Sequence, residues 1–202
     1  MRIIKYIIKK IIQLLYKCEL RQLKNDNFSL FCNVCIGGII YSNLKKQFLS
    51  PTINLWLTCD DFCKFLLNLD KYIESPIKFI GYDEGPIGVI DDIKIHFNHY
   101  KSIEDALNAW NRRKQRINKK NMYAIIRWSE ESKINQNILN ELNQKYKNII
   151  LISPKKLKGI KYKYIKCPNN EKDQMMTFTG LRYWELQFNY VKFLNKNKKP
   201  DF

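Results

Sequence analysis

Short apolar runs of strand length alternate with amphipathic stretches of helix length from residue 28 almost to the end of the sequence. No other feature restricts the fold of this 202-residue chain as much. Strands are expected over 28–33, 53–57, 77–82, 122–128, 148–152 and 162–166. Helices are expected over 39–48, 58–72, 102–116, 133–146 and 179–194, with Thr58 and Ser102 as N-caps and a lysine tail fraying beyond the last. Gly37-Gly38 reads as a turn, Ser50-Pro51-Thr52 as a break, and 87–100 as an extended segment that adds an antiparallel ribbon. Crossover helices of this length cover both faces of a sheet. The expected architecture is therefore α/β: three layers, α/β/α, around a largely parallel or mixed sheet, with residues 25–202 as one domain.

Residues 1–24 stand apart. Ile3, Ile4, Ile7, Ile8, Ile11, Ile12, Leu14 and Leu15 recur at helical spacing, and Lys5, Lys9, Lys10, Gln13 and Lys17 fill the other half of the helical wheel. The lysines interrupt the apolar run well short of the roughly 20 residues a bilayer span needs. The stretch also lacks the unbroken apolar region and small-residue cleavage site of a secretory signal. Two readings stay open: a helix lying on an anionic membrane surface, or a helix packed on its own domain or on a partner.

The formal charge of +17 invites a nucleic-acid reading. Lysine carries most of it, however, at 29 Lys to 7 Arg, whereas phosphate forks and base edges favour the bidentate guanidinium. Without a recognised motif, nucleic acid is the weakest partner class. The cysteines at 18, 32, 35, 59, 63 and 167 are spread too thinly for a secreted disulfide scaffold, so a reduced, cytosolic setting is expected. The pairs Cys32/Cys35 and Cys59/Cys63 have spacings compatible with zinc. Their apolar neighbours favour buried thiols, and no metal is assigned.

In open α/β sheets, ligands bind where strands end and helices begin, and 31–38 is such a place. Asn33 can hydrogen-bond a ligand or the loop, and Gly37 and Gly38 either admit a ligand's phosphate or simply make a turn. Cys35, facing a helix N-terminus, is the candidate nucleophile, against a role as small apolar filler. Further on, period-two alternation places Ile93, Ile95, Phe97 and His99 on one face and His96 on the other, which separates the only two histidines. His99 is either a core histidine or a general acid/base at the rim. Asp91 beside Asp92 is a candidate acid or metal-phosphate ligand, against a turn former. Arg112 and Arg116, one helical turn apart, suit a phosphate or carboxylate, against a solvated helix end.

These motifs carry a resemblance. Cys32-Asn33-Val34-Cys35-Ile36-Gly37-Gly38 with Tyr41, then 50–55, Asp61-Phe62, Gly88-Val89-Ile90-Asp91-Asp92-Ile93, His96-Phe97-Asn98-His99-Tyr100 and Arg112-Arg113 follow in order over about 25–130. This stretch resembles a family of bacterial proteins of uncharacterised biochemical activity associated with exopolysaccharide biosynthesis. Val34 stands where that pattern has a second Asn, so a contact made there in relatives would be altered here. The resemblance implies a setting, the synthesis of capsule or other surface glycan, and carries over no catalytic assignment.

The expected function is thus a component of surface polysaccharide synthesis, cytoplasmic or peripheral to the inner face of the cell membrane. It would bind a sugar-phosphate or glycan intermediate, with transferase chemistry as its enzymatic form. The alternative is a noncatalytic, membrane-docked scaffold for glycan enzymes. The sequence names no cofactor and no oligomeric state.

Overall fold

The structure, a computed structural model, describes residues 2–160, 164–166, 177 and 179–196. In chain order its elements are α1 (Arg2–Leu20), β1 (Ser29–Cys32), α2 (Ile36–Asn43), α3 (Cys59–Leu67), α4 (Leu69–Glu74), β2 (Lys78–Tyr82), β3 (Pro86–Ile90), β4 (Ile93–His96), α5 (Ile103–Lys114), β5 (Met122–Arg127), α6 (Gln136–Lys145), β6 (Asn148–Ser153), β7 (Tyr164–Lys166), α7 (Tyr183–Gln187) and α8 (Tyr190–Asn195).

Four strands form a parallel sheet in the order β1-β5-β6-β7, with Ser29 opposite Met122, Tyr123 opposite Asn148 and Leu151 opposite Tyr164. Because strand residues alternate faces, each of the first three strands feeds two cores. Phe31, Ala124, Ile126, Ile149 and Leu151 pack with Phe62, Phe65, Trp110, Leu139 and Leu142 from α3, α5 and α6. Leu30, Cys32, Tyr123, Ile125, Ile150 and Ile152 pack with Ile40, Tyr41, Trp184, Tyr190 and Phe193 from α2, α7 and α8. Helices therefore cover both sides of the sheet, the layered α/β arrangement that the alternation implied. Thr58, Ser102 and Asn135 cap α3, α5 and α6, each accepting a backbone N–H with its side-chain oxygen, a contribution of about 1 kcal/mol per cap.

Several elements differ from the sequence expectation. The segment 53–57 is not a strand of the sheet. Asn54 adopts φ 61°, which breaks the extended run, and pairing is confined to a bridge between Trp56 and His96. Leu57 then donates its N–H to the Asn33 carbonyl, so the segment ties β1 to the antiparallel unit instead of extending a ladder. The 87–100 stretch folds into the β3–β4 hairpin, and β2 joins it in a separate antiparallel sheet of order β2-β3-β4. The expected 58–72 helix divides at Asn68, whose backbone is non-helical at φ −120°, ψ 41°. The expected 179–194 helix divides at Phe188, after which Asn189 caps α8. Residues 162–163 of the last expected strand, Cys167 and the lysine tail beyond 196 lie outside the described residues.

Candidate functional site

β1 and β5 end side by side, and the loops that follow them open a cleft of about 850 Å³ over the sheet's carboxyl edge. The first turns of α2 and α3 reach into it from one side, and the β5–α6 loop, 128–133, closes the other. Asn98 and His99, just past β4, complete the rim.

The cleft brings Cys35 and His99 together. Sγ of Cys35 lies 3.1 Å from Nε2 of His99, although the two residues are 64 positions apart in sequence. Cys35 is the N-cap residue of α2 and half-buried, while His99 is exposed. The chain leaves strand geometry after His96 and turns through 97–100, so the imidazole reaches the rim instead of following Ile93, Ile95 and Phe97 into the core. Burial pushes the Cys35 thiol above its ordinary pKa, and the nearby Glu84 carboxylate adds to the shift. The resting thiol is therefore protonated near neutral pH, and a neighbouring base has to take its proton before it can attack.

The other expected site residues fall elsewhere. Asn33 lines the cleft, but its side chain is engaged within the fold. Oδ1 accepts the Arg127 N–H at 2.8 Å, and Nδ2 donates to the Arg127 carbonyl at 3.1 Å and the Leu57 carbonyl at 3.4 Å. The amide thus prolongs the β1–β5 pairing by one step. Gly37 and Gly38 belong to the first turn of α2, not to a turn before it, and both are buried. A Cβ on Gly37 would lie 2.8 Å from Ile53 Cδ1, and one on Gly38 would lie 1.9 Å from Asn54 Oδ1. These glycines admit the 50–55 loop, not a ligand. Asp91 sits at the β3–β4 turn with φ 49°, paired with Lys71 at 3.2 Å and accepting from Ser75. It does not line the cleft. Nor do Arg112, which is exposed, and Arg116, which is half-buried. Within that cluster the buried arginine is Arg113, which lies under Tyr100 and Phe48 and donates to the Ile53 carbonyl at 2.8 Å.

The cysteine pairs with zinc spacing do not converge. Cys32 points into the core beneath α2 and Cys35 into the cleft. Cys63 is pushed up in pKa by its hydrogen bond to Cys59 and by burial. Among the described residues, no group of three or more His, Cys, Asp and Glu side chains is placed to hold a metal ion.

The cleft also contains residues that sequence reasoning passed over. Trp56, 41% exposed, packs edge-on against His96, and the half-buried Trp128 lines the cleft with Lys155 Nζ 5.8 Å from its ring centroid. Asp60 accepts from Ser132 Oγ at 2.7 Å and the Lys133 N–H at 3.0 Å, which fastens the β5–α6 loop to the start of α3. Asp61, Lys64, Glu130 and Glu131 supply further charge around the opening. The signal was present in the run Arg127-Trp128-Ser129-Glu130-Glu131-Ser132, a polar loop directly after a buried strand.

Comparison with known proteins places the sequence in a family. The profile described as Domain of unknown function (DUF1919) matches residues 3–195. An uncharacterized protein of Haemophilus influenzae is 30% identical over 183 residues, covering 87% of this chain and 87% of its own.

Proposed function

This chain belongs to the DUF1919 family, and for this member we propose a role in the synthesis of surface polysaccharide: the cleft binds a sugar-phosphate or other glycan intermediate, and Cys35 and His99 act on it. The reading is carried by the 3.1 Å contact between thiol and imidazole at the mouth of a cleft, at the strand ends where α/β folds bind ligands. The resemblance of residues 25–130 to exopolysaccharide-associated proteins supplies the setting.

The lining suits a polyhydroxylated ligand. Trp56 and Trp128 offer flat apolar faces to a sugar ring, Asp61, Glu130 and Glu131 accept hydroxyl donors, and Lys64 and Lys133 can pair with a phosphate. In a transferase step, His99 Nε2 takes the thiol proton as Sγ attacks the electrophilic carbon of the donor. The bond from that carbon to the leaving oxygen breaks, and the imidazolium returns the proton to that oxygen. An acceptor hydroxyl, with His99 again as base, then displaces the thiolate.

Glycan production in cells whose own copy is replaced by Cys35→Ser or His99→Ala tests this role. With folding verified by circular dichroism, each variant is expected to lower production at least ~100-fold, the usual size of a general-base or nucleophile contribution. Full production from both folded variants rejects the reactive pair and leaves the noncatalytic scaffold as the better reading.

A further inference from the structure

We propose that α1 is a docking element for an anionic lipid surface, which it meets with the face turned away from the domain. The helix attaches to the rest of the chain through Lys9, Gln13, Tyr16 and Leu20, which share one face at helical spacing. Gln13 donates to the Thr179 carbonyl at 3.0 Å, and Tyr16 donates to Glu185 at 2.7 Å. At about 100° per residue, the opposite side of the wheel holds the apolar residues. Ile3, Ile7, Ile11 and Leu14 form one edge of that face and Ile4, Ile8 and Leu15 the other, and all seven are between 42% and 74% exposed.

This arrangement is the reverse of an ordinary surface helix, which buries its apolar stripe and turns its charges to water. Among the described residues nothing covers the stripe. No helix there is long and apolar enough to cross a membrane, so the fitting geometry lies in the interface plane. Lys10 and Lys17 flank one side of the apolar face and Lys5 the other, while Glu19 is the sole acidic residue of the helix. Lysines in those positions can lay their methylene stems along the acyl boundary and keep their ammonium groups among anionic headgroups. The same charges argue against a second copy as occupant, since pairing two such faces would oppose their lysine rows.

Flotation of the full chain with vesicles of phosphatidylcholine alone, or mixed with phosphatidylglycerol, tests the proposal, together with sedimentation of the lipid-free protein. The wild-type chain is expected to float with the anionic vesicles and to stay behind with the neutral ones. The triple variant Ile7→Ser, Ile11→Ser, Leu14→Ser alters only exposed side chains, and its partition onto anionic vesicles is expected to fall at least ~10-fold. The double variant Lys10→Glu, Lys17→Glu is expected to lose the preference for anionic lipid. Wild-type protein that floats with neither vesicle overturns the proposal, as does triple-variant binding equal to wild type. A wild-type dimer that the triple variant converts to monomer also overturns it and assigns the face to a second copy. None of these readouts depends on Cys35 or His99, so the result stands apart from the fate of the proposed reaction.

Discussion

Cys35 shows how one side chain takes its chemistry from three separate neighbours. Its position at the start of α2 comes from local sequence, its partner His99 from the hairpin, and its raised pKa from burial and from Glu84 on the loop beside Asn98. Because the neutral thiol is favoured, alkylation by iodoacetamide should rise with pH along a curve displaced above that of an ordinary exposed thiol. Mass spectrometry that follows the Cys35 peptide measures this directly, and Glu84→Gln should move the curve back toward lower pH. Gly38 is the contrasting case, a residue whose value lies in what it lacks. Gly38→Ala puts a methyl where the Asn54 amide lies, and Asn54 is already in a left-handed conformation, so the 50–55 loop can yield little. A loss of about 1–3 kcal/mol in urea-unfolding free energy is expected. If Gly38→Ala leaves stability unchanged, the loop is softer than its contacts imply.

Among the elements, the β3–β4 hairpin buries Ile90, Ile93 and Ile95 in the core and adds polar contacts at its turn. Asp92 at its turn accepts from Tyr72 Oη at 2.7 Å and from Lys64 Nζ at 3.0 Å, and these bonds, that from Tyr72 first, lower its carboxyl to about 2. A carboxyl depressed in the folded state contributes stability above its unfolded pKa, near 4, and that contribution is lost as pH falls toward the folded value. Melting temperatures between pH 5 and pH 2 should therefore fall less steeply for Asp92→Asn than for wild type. Parallel curves would show that the turn is held by other contacts. The hairpin matters to the cleft because the chain leaving β4 delivers His99 to Cys35, while the Trp56–His96 bridge fastens it to the segment after α2.

At the scale of the whole molecule, α1 is joined to the two-sided sheet by a small polar cluster. Tyr16, Asn43, Glu185 and Tyr190 bring α1, α2, α7 and α8 to one point, where Asn43 and Tyr16 both donate to Glu185 Oε1. Burial, with hydrogen bonds to Tyr190 and Glu185, pushes the Tyr16 hydroxyl well above the ordinary tyrosine range, so it acts as a donor at any physiological pH. Tyr16→Phe removes a bond to a nearly buried carboxylate, an interaction worth about 1.5–3 kcal/mol. Amide exchange in α1 should accelerate at least ~10-fold, while β1, β5 and β6 keep their protection. Equal acceleration throughout would mean that α1 is integral to the core and not an appended helix.

Periodicity is local, and it was sufficient to mark the buried strands β1, β5 and β6, the capped helices α3, α5 and α6, and the amphipathic character of α1, because burial on a sheet face or helix stripe is written into residue spacing. The convergence of Cys35 with His99, the turn that sends 53–57 across to β4, and the two tryptophans at the opening all depend on how distant segments pack. Glycines at 37 and 38 read as a ligand-accepting turn until the loop that fills their space is in view. Asp91, Arg112 and Arg116 carry suitable chemistry, but side-chain type does not encode which wall of the molecule a residue faces. The spacing of α1 told which of its residues are apolar; only tertiary packing decided that the domain would grip the opposite face, because that choice rests on Tyr16 and Gln13 meeting partners more than 160 positions away.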